Sequence, residues 1–290
     1  MLVREPAVAG RFYPGTSGEC RREIDAMRIP DAPADLPERP VGGIVPHAGW
    51  FFSGATALRV LDAVRIRRTP ATFVLFGATH SPIRRAAIFS NGAWETPLGL
   101  ATVDERLAAE ILALGGGLVR DDPMAHEREH SIEVQVPLIQ HLFPGATIVP
   151  IACPPSADAP EIGRLVARAI RTTGTEAVCL GSTDLTHYGR MYGFTPKGTD
   201  AAAIRWVREE NDRRMLDLMI RLDSGAILAE ASERLNACGP GAVAAALAAA
   251  AALDATEGRV VQYTTSFDVM REKMGRTEAD AVVGYVGVVF

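Results

Sequence analysis

The chain has 290 residues, of which 48% are hydrophobic and 22% are charged, so it can bury a sizeable core in one large domain or two modest ones. Its net charge of −5 argues against nucleic-acid binding, which needs a clustered basic surface. The N-terminus lacks an apolar secretion signal, and the longest apolar run, residues 241–253, is shorter than the ~20 residues that span a bilayer, so we expect a cytoplasmic protein without a membrane partner.

Short apolar strands alternate with amphipathic helices along most of the chain. After an N-terminal helix, the pattern predicts, in chain order, a proline-rich surface loop at 30–40, a strand at 42–46, a helix at 53–64, strands at 72–77 and 86–89, helices at 103–114 and 137–143, a strand at 147–152, a helix at 157–171, a strand at 177–181, a helical region at 200–222, a buried alanine-rich helix from about Cys238, and strands at 260–265 and 281–289.

This alternation predicts the fold class. Continuously apolar strands separated by helices are typical of a sheet that is covered on both faces. We therefore expect a single three-layer α/β/α domain over residues 1–290. The last two strands follow each other with a loop between them, which favours a mixed sheet over a purely parallel one.

Three histidines follow three different buried strands. His47, His80 and His187 each come shortly after an apolar run, and loops at the carboxyl ends of strands are where α/β proteins bind ligands. A single such histidine would most simply hydrogen bond to a neighbouring backbone group. Because all three occupy the same topological position, a metal site built from separate loops is the favoured interpretation.

Cys238 and Asp184 are further candidates for this site. Cys238 immediately precedes the alanine-rich helix, where the helix dipole is expected to lower a thiol pKa and favour the metal-binding thiolate. The other cysteines, Cys20, Cys153 and Cys179, fit buried structural thiols. Asp184 lies three residues before His187, where it either orients an imidazole or binds the metal, or else caps the following turn.

Residues 126–130 (HEREH) match the zinc-protease pattern, in which two histidines lie on one face of a continuous helix. Pro123 precedes the segment, Pro137 follows it, and the segment is charged without apolar helical periodicity. We therefore do not expect a zinc-protease site here.

Several segments together resemble the Memo family, which accompanies a radical SAM protein in bacterial AmmeMemoRadiSam gene sets. The match runs nearly from end to end, and its order and spacing are specific. The segments are 4–14 (REPAVAGRFYP), 46–49 (PHAG), 53–54 (SG), 77–80 (GATH), 129–133 (EHSIE), 182–189 (STDLTHYG), 237–239 (ACG) and 283–285 (VGY).

The resemblance implies a fold similar to class III extradiol dioxygenases and a set of site residues. By it, His47, His80 and Cys238 are the metal ligands. His187 is an additional site histidine, acting as a fourth ligand or an acid/base, with Asp184 as its neighbour. It also implies substrate-binding aromatics at the mouth, Phe12 and Phe52, the latter at a position where relatives often carry tyrosine. Glu129 and His130 are implied to support the ligands from nearby.

A ligand set of two histidines and a thiolate is softer than the two histidines and a carboxylate of ring-cleaving dioxygenases. We therefore expect iron or copper, with zinc also fitting. Because a thiolate that faces bound oxygen is easily oxidised, catechol cleavage is less expected here than in those enzymes. One function is a metal-dependent redox enzyme acting on a small aromatic or radical-derived molecule. The alternatives are metal handling without turnover and a (phospho)peptide-binding module, the latter suggested by an aromatic rim of Phe12, Tyr13, Trp50 and Phe52.

Overall fold

The computed structural model describes residues 1–28, 35–276 and 280–290 of the chain. The α-helices are α1 (Ser17–Met27), α2 (Trp50–Arg67), α3 (Glu105–Leu114), α4 (Val136–Leu142), α5 (Ala159–Thr173), α6 (Ala201–Trp206), α7 (Asp212–Ile220), α8 (Ile227–Arg234), α9 (Pro240–Ala252) and α10 (Ser266–Met274). The strands are β1 (Val3–Arg4), β2 (Gly42–Val45), β3 (Thr72–Gly77), β4 (Ala86–Ile88), β5 (Ala93–Thr96), β6 (Gly99–Thr102), β7 (Val119–Asp121), β8 (Thr147–Ala152), β9 (Ala177–Ser182), β10 (His187–Gly189), β11 (Arg259–Thr265) and β12 (Ala281–Val289).

The main sheet has a parallel centre and antiparallel flanks. Its strands run in the order β10-β12-β2-β9-β3-β8-β4-β7, and β11 pairs with β12. Strands β2, β9, β3 and β8 are mutually parallel, whereas β12 is antiparallel to β2 and β4 is antiparallel to β8. The central strands are buried along their length, which is why each appears in the sequence as a continuous apolar run.

Helices cover both faces of this sheet. Ile44 and Gly181, which are paired across β2 and β9, face Ala246 of α9, whereas Gly43 faces Val60 of α2. The alanine-rich α9 packs on β2, β9 and β3 and against α5, and ten of its residues are buried. The expected three-layer α/β/α fold with a mixed sheet is therefore confirmed, as is the buried helix after Cys238.

The connection between the last two strands differs from the expectation. Helix α10 lies between β11 and β12, where the sequence interpretation placed a loop alone. A capping box marks its start, in which Thr265 and Asp268 satisfy each other's backbone N–H groups. The spacing of Thr265 and Asp268 is readable in the sequence, but the helix is short and mostly polar, so apolar periodicity does not predict it.

A second sheet of three strands, β1-β5-β6, was not predicted. Its strands are two to four residues long and only partly buried, so they carry little apolar periodicity. The helical region at 200–222 forms α6 and α7 with a π-helical turn between them at Val207–Asn211.

No helix of the described ranges is long and apolar enough to cross a membrane. Part of the loop predicted at 30–40 lies outside the described residues. The expectation that 1–290 form one domain stays a prediction.

Candidate metal centre

Three neighbouring parallel strands end at one edge of the sheet and carry the predicted site residues there. Strand β9 lies between β2 and β3, and all three run in the same direction. His47 follows β2, Asp184 follows β9 and His80 follows β3. The strand-end argument therefore brings these three loops together, as expected for an α/β sheet.

The tautomer of His47 is set by a chain of two hydrogen bonds. The Ser182 hydroxyl donates to the Ser131 carbonyl oxygen (2.8 Å), so it accepts from His47 Nδ1 at 2.9 Å. Nε2 of His47 is then left unprotonated. The ring is 2% exposed, and burial, followed by the charge of His80, lowers the pKa of His47. His47 is thus a neutral imidazole with a free nitrogen lone pair.

Cys238 faces that lone pair. Its Sγ lies 3.2 Å from His47 Nε2 and accepts a hydrogen bond from the Asp184 backbone N–H at 3.3 Å. The residue stands two positions before α9, as expected. Its pKa differs from the expectation, because burial and the charge of Asp184 raise the pKa of the thiol. Removal from water outweighs the helix dipole here, so without a metal the thiol is protonated.

Glu129 orients His80. The His80 backbone N–H donates to Glu129 Oε2 at 2.8 Å, and His80 Nδ1 lies 3.0 Å from Oε1. This leaves Nε2 free to bind a ligand, which is how carboxylates commonly orient metal-binding histidines. The hydrogen bond to Glu129 raises the pKa of His80, and, against the effect of burial, the His80 contacts lower the pKa of Glu129. The side chain of His80 is 44% exposed, so the site opens to solvent.

His130 lies within the site rather than merely near it. One ligand nitrogen each from His47, His80 and His130 lie within 4.8 Å of one another. The His130 ring stacks on His80 with centroids 4.5 Å apart, and burial, with the charges of His47 and His80, lowers its pKa to about 4. His130 was predicted to support the ligands, and its position also makes it a candidate ligand.

Asp184 and His187 are the remaining predicted polar residues of the site. Asp184 Oδ1 accepts from the backbone N–H groups of His47 (2.8 Å) and Ala48 (3.3 Å), and burial raises the pKa of this carboxyl. Asp184 therefore fixes the His47 loop. His187 donates Nδ1–H to the Leu185 carbonyl oxygen at 3.0 Å, and its ring contacts Tyr192 with centroids 5.1 Å apart. Its Nε2 remains available as a proton acceptor.

Phe12 and Phe52, the two aromatic residues predicted at the mouth of the site, are both half-buried, but they have different neighbours. Phe12 meets the edge of His130 with ring centroids 4.9 Å apart, and Phe52 lines a neighbouring cavity. The other two aromatics of the expected rim are in the core instead. Tyr13 is 3% exposed and Trp50 is 1% exposed. The Tyr13 hydroxyl donates to Glu133, and the Trp50 indole N–H donates to the Val134 carbonyl oxygen. The rim that suggested peptide binding is therefore smaller than expected.

A buried ion pair that the sequence interpretation missed holds the N-terminal segment on the site. Arg4 donates to Glu133 at 2.8 Å, and the same carboxylate accepts from the backbone of Ala7 and Val8 and from the Tyr13 hydroxyl. Both charged side chains are nearly inaccessible. Arg4 and Glu133 are 129 positions apart, and no local pattern in the sequence links them. The ion pair could therefore not be predicted from the sequence.

The HEREH segment does not form a zinc-protease helix. A 3-10 turn, Pro123–His126, ends at the first histidine. His126 is fully buried and donates Nε2–H to the Ala87 carbonyl oxygen, whereas His130 faces His80. His126 and His130 therefore lie in different environments, as the positions of the two prolines predicted. The three other cysteines are buried, also as expected.

Comparison with known proteins identifies the family and supports the fold. Residues 4–289 match the family model described as Memo-like protein. A MEMO1 family protein of Thermococcus kodakarensis is 38% identical, over 100% of this chain and 99% of that protein, and one of Pyrococcus abyssi is 37% identical, over 99% of each. The crystal structure of an uncharacterized protein from Escherichia coli K12 superposes with a TM-score of 0.56 at 11% identity, covering 87% of this chain and 100% of that one. The last comparison concerns the fold alone.

Proposed function

The chain belongs to the Memo family, and from that premise we propose that it binds one transition-metal ion through His47, His80 and Cys238 and uses it in redox chemistry on a small organic molecule. One observation supports this above the others. The unprotonated Nε2 of a buried neutral histidine faces a thiol 3.2 Å away.

The donor groups fit a metal. Two donors bound to one tetrahedral metal at ~2.0–2.3 Å lie roughly 3.5 Å apart, close to the His47–Cys238 separation. His47 and His80 each have Nδ1 held by a protein acceptor, so both present Nε2. Two imidazoles with one thiolate favour copper or iron and also suit zinc. Among the described residues, the ligand atoms that lie within 4.8 Å of one another are those of His47, His80 and His130, and Cys238 joins them through its contact with His47.

The remaining residues divide the tasks of orientation and proton transfer. A bound iron or copper ion would supply one-electron redox chemistry and polarise a ligand oxygen. Glu129 holds His80 in one orientation, and Asp184 holds the backbone of the His47 loop. The free Nε2 of His187 is placed to take up or release a proton at the edge of the site.

Metal handling without turnover is the second candidate. It is favoured by the exposure of His80, whose side chain is 44% accessible and so open to exchange with solvent. Stoichiometric metal binding with no change in any organic substrate would support it over the redox enzyme.

The test is anaerobic metal analysis of freshly purified protein after loading with Fe(II), Cu(I) or Zn(II). We expect about one equivalent of metal in the wild type and a loss in Cys238→Ala and in His80→Ala. Cys179→Ala and His141→Ala are matched controls, since Cys179 is buried in β9 and His141 pairs with Asp25 away from the site. Both controls should retain the metal.

The variant His130→Ala separates the two possible ligand sets. If His130 merely stacks on His80, its loss should weaken binding by less than the loss of Cys238. A wild-type protein that retains no metal under any loading condition would refute the proposal. Metal retained in Cys238→Ala but lost in His130→Ala would replace the thiol with the third histidine.

A further inference from the structure

A cavity of about 760 Å³ opens beside the metal centre and contains none of the proposed ligands. Its size is that of a small-molecule site. Residues Ala281, Val283 and Tyr285 line it from alternate positions of β12, as side chains on one face of a strand must. Val283 is paired with His187 across the β10–β12 ladder, so the cavity wall and the metal centre share this edge of the sheet.

The walls of the cavity suit a flat, largely apolar molecule. They carry the rings of Phe52, Tyr192 and Phe267 and the thioethers of Met191 and Met270. Aromatic rings favour offset or edge contacts with other rings, and methionine sulfur packs well against ring edges. The charged residues on its wall, Arg276 and Asp280, have opposite signs and are exposed, so they give the cavity no net preference for an ion.

Tyr285 supplies a hydrogen-bond donor at the inner end. The residue lines the cavity and is 2% exposed, and it lies close enough to Asp184, Tyr192 and Cys238 for their charges to act on it. Burial, followed by the charge of Asp184, raises the pKa of Tyr285, so the hydroxyl keeps its proton at neutral pH. By contrast, the equally buried Tyr188 uses its hydroxyl on the Gly198 carbonyl oxygen at 2.8 Å.

We propose that this cavity binds a planar organic molecule carrying a hydroxyl or carbonyl oxygen, and that the Tyr285 hydroxyl donates a hydrogen bond to that oxygen. The oxygen then lies at the end of the cavity nearest Asp184, Cys238 and His187. Tyr285 acts as a positioning residue that selects oxygen-bearing rings. The proposal rests on the proposed function in that it supplies the organic molecule for the same centre.

Fluorine NMR with 4-fluorophenol and fluorobenzene as probes tests this, using full-length protein with metal removed by chelation and again as purified. We expect the wild type to bind 4-fluorophenol and Tyr285→Phe to bind it roughly three- to tenfold more weakly, the range for one neutral hydrogen bond. Fluorobenzene, which has no oxygen, should bind both proteins equally. Tyr188→Phe is the matched control and should leave both affinities unchanged.

A second measurement needs no variant. With methionine methyl groups labelled with carbon-13, 4-fluorophenol should shift the signals of Met191 and Met270, which line the cavity, and not that of the exposed Met124. No binding of 4-fluorophenol, equal binding by Tyr285→Phe, or shifts confined to other methionines would overturn the proposal. Because the cavity contains no proposed ligand, probe binding by metal-free protein is independent of whether the metal proposal holds.

Discussion

Two buried carboxylates hold segments next to the candidate site residues, and they do so by different means. Glu133 is paired with Arg4 and accepts three further hydrogen bonds from the N-terminal segment. Asp212 has no cation among its hydrogen-bond partners, which are the N–H and hydroxyl of Thr186 and the hydroxyl of Tyr263. Because Thr186 precedes His187, Asp212 fixes the strand that carries this histidine. Removing the charge of Glu133 should therefore lower the stability of the fold, whereas removing the charge of Asp212 should raise it at neutral pH.

Replacing Glu133 with glutamine should destabilise the fold strongly. It leaves the buried guanidinium of Arg4 without its counter-charge, which typically costs about 3–5 kcal/mol. Urea denaturation measures the loss. Glu161→Gln is the control, because Glu161 is 40% exposed and pairs with Arg164 and Arg168 at the surface, where about 1 kcal/mol or less is at stake. Equal small losses in the two variants would contradict the assigned role of Glu133.

Replacing Asp212 with asparagine should remove a pH-dependent loss of stability. Burial raises the pKa of Asp212 from 3.8 to about 6, so the folded state holds its proton more tightly than the unfolded state does. Its stabilising contribution is therefore present below pH 3.8 and is lost as pH rises through about 6, with a total of roughly 3 kcal/mol.

The check is the difference in unfolding free energy between wild type and Asp212→Asn from pH 4 to pH 7.5. Other titrating groups cancel in this difference. We expect the variant to gain stability relative to the wild type as pH rises, since the asparagine oxygen can still accept from Thr186. A difference that does not vary with pH would mean that Asp212 is not protonated preferentially in the folded protein.

Whole elements were predictable from the sequence where burial is complete. Strands β3 and β8 lie where the apolar runs predicted them, because a strand buried on both faces needs apolar residues at every position. Strands β2 and β3 are buried in the same way, and the loops that follow them carry His47 and His80 to the same end of the sheet. Strands β5 and β6 escaped prediction because their pairing comes from hairpin contacts rather than from a buried apolar pattern.

His130 was predicted near the site, but its position among the ligand nitrogens could not be predicted from the sequence. That position depends on the path of the loop that also carries Glu129 and Glu133. Arg4, close to the N-terminus, holds that loop by hydrogen bonds. The thiol pKa of Cys238 was mispredicted for a related reason. The helix dipole is a local feature that sequence shows, whereas desolvation is set by the tertiary packing around the thiol.

The contact between α5 and α9 gives a prediction at the scale of elements. A Cβ added at Gly163 of α5 would lie 2.0 Å from the Ala245 carbonyl oxygen of α9, so the helices can approach this closely only with glycine there. Gly163→Ala should lower the free energy of unfolding by about 1–3 kcal/mol, the usual cost of overpacking a core, because it forces the two helices apart. Thermal or urea unfolding measures it.

Gly18→Ala in α1 is the matched control, since the nearest atom to its added Cβ is the end of the Arg22 side chain at 3.4 Å. There alanine should be neutral or stabilise by at most about 1 kcal/mol, because Gly18 lies in the first turn of α1 and the full preference over glycine applies inside a helix. A neutral Gly163→Ala variant would show that α5 and α9 tolerate separation.

The proposed metal ligands come from parts of the molecule that are far apart in the chain. His47 follows β2, His80 follows β3, and Cys238 precedes α9, which covers those strands from one face. An ion bound by all three would tie the helix layer to the sheet. Since the unfolded chain does not hold these donors together, metal binding should stabilise the folded state as a whole.

Zn(II) is a suitable probe of this linkage because it has no redox chemistry of its own. At a free Zn(II) concentration about 100 times its dissociation constant, the stabilisation should be about 2.7 kcal/mol, which raises the unfolding temperature by roughly 5–10 °C. Differential scanning calorimetry at matched free Zn(II) should show this rise in the wild type and in Cys179→Ala, but not in Cys238→Ser. If Cys238→Ser shows the full rise, the helix layer is not linked to the sheet through the metal, and Zn(II) must be held by the histidine loops alone.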